Sequence, residues 1–374
     1  MIADGFEDVA EVFRANMSER GDTGAAVCVY HDGVKVVDLV GGQYADDTLQ
    51  VVRSVTKGVM AIVANRLVEQ GILDLDAPVA DVWPEFAAHG KAAVPVRWLL
   101  SHRAGLSAID RPLTMEDVVA WDPVVDALSD QVPLWEPGTG HGYHALTYGW
   151  LVGEVLRRVT GKGPGQLVQE ELSEPLGIEL WVGLPTELHG RVAELLPAPP
   201  HPPDAPPDPL IAILADPDGL AARSFRNPPM FATEHSGDYL RAEVPAANGV
   251  TNARSLARLY AATIGTIDGV RLLSPATVTR SAATQAQGPD RVVGYDTRYA
   301  TGFMRPFPLR PFAGLGTACF GHYGMGGPLG FADPESGVGF GYTSIQIQSH
   351  DTADPRSRLL AEAAVACALA VSAG

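Results

Sequence analysis

The spacing of apolar positions changes several times along this chain, and each change marks a new kind of element. Residues 25–30 (Ala-Ala-Val-Cys-Val-Tyr) and 34–40 are short β-branched runs separated by His31-Asp32-Gly33. An Asp-Gly turn between two such runs predicts a β-hairpin. From Ser54 to Gln70 the rhythm becomes helical, with Val55, Val59, Ile62, Val63, Arg66 and Leu67 on the period and Gly71 as the stop. Ser54 stands at the front of this helix, in an N-cap-like position.

The same reasoning predicts helices over 115–129, 146–160 and 165–173, the second ended by Gly161, and another over 252–264. Residues 197–209 contain eight prolines, which excludes a helix or a central strand. That run is read as an extended surface loop, with a cleft wall as the alternative. Strand character returns at 300–305, 317–322, 328–333 and 338–347, and an Ala-rich helix is expected over 354–371. Strands at both ends and helices between them predict an α/β domain built from residues 1–75 and 245–374. A mainly helical domain, 76–244, is inserted in it and carries the proline-rich loop. No internal repeat is visible.

Composition narrows the function classes. At 374 residues, 46% hydrophobic and 19% charged, the chain has room for about two domains and is not a disordered one. A net charge of −17, from 27 basic against 44 acidic residues, argues against nucleic acid and anionic membranes as partners. Cys28, Cys319 and Cys367 are widely spaced and form no disulfide framework or zinc pattern. The acidic start, Met1 to Asp8, lacks the layout of a signal peptide. The apolar C-terminal stretch, Leu359 to Ala373, contains Glu362 and is shorter than the roughly 18 residues of a membrane span. A soluble, cytoplasmic protein is expected, unless a leader has been removed.

Several common signatures are missing. No serine lies in Gly-x-Ser-x-Gly, no Walker or Gly-x-Gly-x-x-Gly pattern follows a strand, and there is no His-Glu-x-x-His. His141 and His144 are spaced to share a helix face, but no third ligand is legible, so neither a metal nor a cofactor is expected.

Three segments carry candidate chemistry. In Ser54-Val55-Thr56-Lys57 the i,i+3 spacing puts an amine beside a hydroxyl. The helix N-terminus and burial both lower the pKa of Lys57, so that a neutral amine can act as base. A Ser that only caps its helix beside a solvated Lys gives the same pattern. In Trp135-Glu-Pro-Gly-Thr-Gly-His-Gly-Tyr143 the glycines place a phenol on a loop-to-helix corner, where a neighbouring ammonium would make it a proton acceptor. Packing is the bland role for such a tyrosine. In Gly321-His322-Tyr323-Gly324-Met325-Gly326-Gly327, a glycine-bearing strand lets a ligand approach the main chain. The N–H groups of Met325 and Ser54 would then form an oxyanion hole; the alternative is a simple turn.

The order of these motifs resembles the serine β-lactamase and penicillin-binding-protein superfamily, and is most similar to its class C-like carboxylesterases. Leu99-Leu100-Ser101-His102-Arg103-Ala104-Gly105-Leu106, Glu174-Pro175-Leu176-Gly177 and Asn248-Gly249-Val250-Thr251-Asn252-Ala253-Arg254 also resemble family stretches. The resemblance covers essentially the whole chain. It implies an antiparallel sheet flanked by helices with an inserted helical domain. It also implies Ser54 as acylated nucleophile, Lys57 as the group that accepts its proton or tunes its pKa, Tyr143 as proton relay, His322 lining the cleft and Met325 as second oxyanion donor, with Tyr323 and Gly324 beside them. Two departures stand out: Ala145 replaces the Asn of the family's Tyr-x-Asn, and His322-Tyr323-Gly324 replaces Lys-Thr-Gly. Both weaken recognition of a β-lactam's amide and carboxylate and favour a small ester substrate. An acyltransferase, an amidase, D-peptidase or β-lactamase, and a silent binding protein are the competing readings. Oligomeric state is not legible.

Overall fold

The computed structural model describes residues 1–199, 209–230, 234–306, 315–348 and 354–373. Helix α1 (Glu7–Glu19) precedes the hairpin of β1 (Gly24–His31) and β2 (Val34–Gly42). Helix α2 (Val55–Glu69) follows, then a loop-rich region of short helices around α3 (Thr147–Thr160). Helix α4 (Ala253–Ile264) leads back to β3 (Phe320–Tyr323), β4 (Leu329–Asp333) and β5 (Val338–Ser344). Helix α5 (Pro355–Ala373) completes the described chain and packs on α1.

The five strands form one antiparallel sheet in the order β2-β1-β5-β4-β3. Residues from both ends of the chain therefore meet in its middle, where Cys28 of β1 pairs with Gly341 of β5. Helix α4 lies on one face of the sheet, against β5, β1 and β4. Small residues make that approach possible: a Cβ on Gly339 or Gly341 would lie 2.5 or 2.3 Å from atoms of α4. Helix α2 is buried on all sides, as expected for a helix apolar around its whole circumference. A three-stranded sheet of Gln50–Val51, Val250–Thr251 and Leu180–Trp181 ties the entry to α2 to the segment that precedes α4.

Two ionic clusters with buried centres reinforce this frame. Arg356, at the start of α5, is fully buried and bridges Asp22 and Asp354 at 2.5 and 2.7 Å. Glu154 of α3 is likewise buried and holds Arg157 and Arg158.

Some local expectations need correction. The helix expected over 115–129 is two helices, Met115–Ala120 and Asp122–Asp130, broken at Trp121, whose φ is 65°. Pro123, which lacks an N–H and restricts the residue before it, starts the second helix afresh. Residues 300–305 form isolated bridges rather than a strand, because Gly302 turns at φ 83° where the chain crosses α2. His141 and His144 lie in the loop ahead of α3, not on a helix face. The 165–173 segment is helical but passes through a π-turn at Gln169–Ser173. Helix α1 was not expected at all. Of the proline-rich run, residues 200–208 lie outside the described residues. Among the described residues no helix is long and apolar enough to cross a membrane.

Candidate active site

The chain enters α2 through a strained residue. Arg53 has φ 47°, a left-handed conformation that costs a non-glycine residue about 1–3 kcal/mol. The turn places Ser54 at the N-cap position, but its hydroxyl does not cap the helix. Thr56 ties this turn to the segment before α4: its Oγ1 donates to Arg53 O and accepts from the N–H of Gly249. The Ser54 hydroxyl faces one turn along the helix, towards Lys57.

Lys57 Nζ lies 3.2 Å from Ser54 Oγ. It also donates to Ala145 O at 2.7 Å and to Ala246 O at 2.9 Å. Both carbonyls come from distant segments, the loop before α3 and the segment before α4. No carboxylate pairs with this amine among the described residues, and burial drives its pKa well below the ordinary lysine value. The Tyr143 ring stands beside it, with its centroid 4.8 Å from Nζ.

Tyr143 is held on a platform made by the Leu99–Leu106 stretch. His102 O, Arg103 O and Gly105 O accept from the N–H groups of Gly142, Gly138 and Leu134, so the two loops run together. His102 Nδ1 accepts from the His144 N–H at 3.1 Å. His144 donates from Nδ1 to Gly142 O at 2.7 Å and accepts at Nε2 from the Leu106 N–H, a pattern only neutral imidazole satisfies. Burial lowers its pKa to about 4. The His102 ring packs against Tyr143, Tyr148 and Tyr299 with centroids 5.0, 5.3 and 4.4 Å away.

A buried carboxylate anchors the other side of the same loop. Asp290 Oδ1 accepts the N–H groups of Tyr143, Val292 and Val293, and Oδ2 accepts the hydroxyls of Thr297 and Tyr299. Tyr299 stacks on Tyr143 at 6.2 Å with an interplanar angle of 10°.

Strand β3 closes the group. His322 lies under the start of α2, its ring 6.2 Å from that of Tyr143, and Tyr323 meets the group through the His322 ring. Gly324 runs so close to the chain before Ser54 that a Cβ there would stand 2.4 Å from Val52 O. The next residue, Met325, is joined to the Ser54 turn by Arg53, whose Nη1 donates to Met325 O at 2.9 Å. Ser54, Lys57, Tyr143 and His322 thus share one small volume, with Gly324 and Met325 at its edge. Sequence reasoning did not single out Arg53, its partner Glu234, Asp290 or the structural role of His102. Only His102 carried a signal, within the Leu-Leu-x-His-x-x-Gly-Leu stretch. Among the described residues no cluster of three or more His, Cys, Asp or Glu is arranged to hold a metal.

This arrangement can be compared with known proteins. The family model described as Beta-lactamase matches residues 9–365. The chain is 37% identical over 362 residues to the esterase/beta-lactamase LipL of Mycobacterium tuberculosis, covering 92% of this chain and 82% of that one. A penicillin-binding protein homologue from Caulobacter crescentus superposes with a TM-score of 0.86 at 38% identity, covering 98% and 99% of the two chains. A family VIII carboxylesterase superposes at 0.88 with 36% identity, covering 98% of each. With a match over nearly its whole length and relatives this similar, the chain belongs to the beta-lactamase family.

Proposed function

We propose that the protein is a serine carboxylesterase that cleaves small to medium esters through an acyl-enzyme on Ser54. The observation that carries this reading is the environment of Lys57. A neutral amine has two hydrogens and one lone pair. Two carbonyl oxygens, Ala145 O and Ala246 O, lie at 2.7 and 2.9 Å to take the hydrogens. The lone pair is then left for the Ser54 hydroxyl at 3.2 Å.

The steps follow from that geometry. Ser54 Oγ passes its proton to Lys57 Nζ and bonds to the ester carbonyl carbon. The N–H groups of Ser54 and Met325 receive the negative charge that develops on the carbonyl oxygen. The tetrahedral adduct collapses, the C–O bond to the alcohol breaks, and the alcohol oxygen takes a proton relayed through Tyr143 from Lys57. Water then repeats the sequence on the acyl-enzyme, giving the acid and restoring Ser54. The sequence calls for no metal or cofactor.

The substrate class rests on what lines the cleft. Where the resemblance implies a Lys, His322 stands, and Ala145 offers only its main-chain carbonyl, already engaged by Lys57. A charged acid group or a side-chain amide on the substrate would gain little here. Both the mycobacterial relative and the family VIII structure carry esterase in their names, which agrees. The acidic surface argues against nucleic acid, and three buried, unpaired cysteines fit the reducing cytoplasm, where we place the enzyme.

The test is turnover of p-nitrophenyl butyrate together with intact-mass analysis after a short incubation. Wild-type protein should carry one acyl group on Ser54, and Ser54→Ala should neither turn over nor label. Undiminished turnover in Ser54→Ala would end this reading. Because the relative from Mycobacterium tuberculosis is named esterase/beta-lactamase, nitrocefin hydrolysis is the second reading to measure. Added alcohol or amine in the ester assay separates hydrolysis from acyl transfer by the products formed.

A further inference from the structure

Arg53 stands between the two main-chain donors assigned to the substrate oxygen. It immediately precedes Ser54, and its side chain crosses to the loop that carries Met325. Its Nε and Nη2 make a two-pronged ion pair with Glu234, at 3.1 and 2.7 Å, and both side chains are buried. The fork leaves Nη1 aimed at a single acceptor, Met325 O, 2.9 Å away.

The loop it holds needs an anchor. In Gly324-Met325-Gly326-Gly327 three of the four residues are glycine, and Gly326 and Gly327 have φ of 94° and 128°. Side-chain packing therefore restricts its peptide planes very little. Instead, main-chain groups are tied down one after another. The Gly324 N–H donates to Pro328 O at 2.7 Å. Arg53 takes Met325 O, and Arg356 Nη2 takes Gly326 O at 3.2 Å. Two buried guanidinium groups thus hold consecutive carbonyls.

We propose that Arg53, locked by Glu234, is a positioning residue: by fixing the Met325–Gly326 peptide it restricts rotation about Met325 and so holds the preceding Gly324–Met325 peptide, whose carbonyl accepts from the Gly327 N–H at 3.1 Å, with its N–H and that of Ser54 converging on one substrate oxygen. The inference rests on Ser54 being the acylated nucleophile. Arg53 touches no reacting atom. Its effect is exerted when charge reaches the carbonyl oxygen, so it belongs in kcat rather than in KM.

The experiment compares p-nitrophenyl butyrate with its thiono analogue, in which C=S replaces C=O. Sulfur is larger and a poorer hydrogen-bond acceptor, so the preference for the oxygen ester reads the donor geometry directly. Arg53→Met should lower kcat on the oxygen ester about 10- to 100-fold, with KM changed less than about threefold. The oxygen-to-sulfur preference should shrink by a similar factor. Arg53→Lys, which keeps the charge but loses the fork, should recover part of both, and Glu234→Gln should fall between. Titration with a fluorophosphonate counts folded sites, so simple loss of protein lowers both substrates alike and leaves their ratio intact. If Arg53→Met does not fold, Arg53→Lys and Glu234→Gln decide. An unaltered oxygen-to-sulfur preference in those two variants overturns the proposal, whether or not their rates fall. Failure of the esterase reading shows separately, as wild-type protein without Ser54-dependent turnover.

Discussion

Asp290 and Tyr143 are 147 residues apart in the chain, yet the carboxylate of one accepts the backbone N–H of the other at 3.0 Å. The same oxygen accepts two further N–H groups, so Asp290 fastens the Tyr143 loop to the turn at 290–293. Asp290→Ala strands three buried N–H donors, each worth about 1–3 kcal/mol when unsatisfied. We expect a loss of at least about 3 kcal/mol by urea unfolding, with ester turnover falling in the protein that remains folded. Asp290→Asn should keep more stability, because the hydroxyls of Thr297 and Tyr299 can rotate to accept from an amide. Equal stability of Asp290→Ala and wild type would show that the loop is held by other contacts.

Lys57 makes activity depend on pH in one direction. Burial lowers its pKa, so the amine is neutral above that value and competent as a base. As pH falls through the folded-state pKa the amine gains a proton and kcat/KM should drop on the acidic side. Stability runs with the same sign. The unfolded chain, with its Lys at the ordinary value of 10.5, binds the extra proton first, so folding stability rises with pH between the two values. Lys57→Met should abolish turnover, and urea titrations across pH should show that this slope has gone.

His144 predicts a loss of stability on acidification. Its ring donates to Gly142 O and accepts from the Leu106 N–H, and a protonated ring would set a second donor against that N–H. Its pKa is about 4 when folded, against 6.5 when unfolded. Stability from the neutral ring is complete above about pH 6.5 and falls away towards pH 4, by about 3 kcal/mol if the whole shift is realised. His144→Gln, whose amide oxygen can still accept from Leu106, should show a shallower decline of Tm from pH 7 to 4. His102, also pushed down by burial, adds to the decline in the same direction.

Gly324 marks a steric limit next to the Ser54 turn. A methyl group there would stand 2.4 Å from Val52 O, against backbone that cannot rotate away. Gly324→Ala must push the end of β3 away from the Ser54 turn. A displacement near 1 Å costs on the order of 10²-fold in rate, so kcat for p-nitrophenyl butyrate should fall by about that factor. Tm should drop by only a few degrees, since the rest of the sheet pairing is untouched. Full activity in this variant would mean that Met325 is not a donor to the substrate oxygen.

The legible parts of the fold were those coded by local rhythm. The β1–β2 hairpin announced itself through Asp32-Gly33, α2 through its apolar period, and β3, β4 and β5 through short apolar runs near the C-terminus. The sequence carries only a weak signal for helix α1, because its buried stripe is Val9, Ala10, Phe13 and the polar Asn16, with few apolar positions on the helical period. The break at Trp121 was readable in Pro123, and the turn at Gly302 in its glycine, but both sit within runs whose periodicity continues across them.

By itself the sequence determined which groups are available and in what order: a hydroxyl and an amine one helical turn apart, a phenol after a glycine-rich loop, and a glycine-bearing strand near the end. Helical spacing alone brings Ser54 and Lys57 together, because that contact is local. Only the tertiary structure decided that the amine is buried under carbonyls 88 and 189 residues away, and hence that its pKa is low. It alone joined Arg53 to Glu234 and Met325, and Asp290 to Tyr143. Periodicity records which face of an element is buried, not which distant group will satisfy a polar atom there. That choice is made when the segments close on one another.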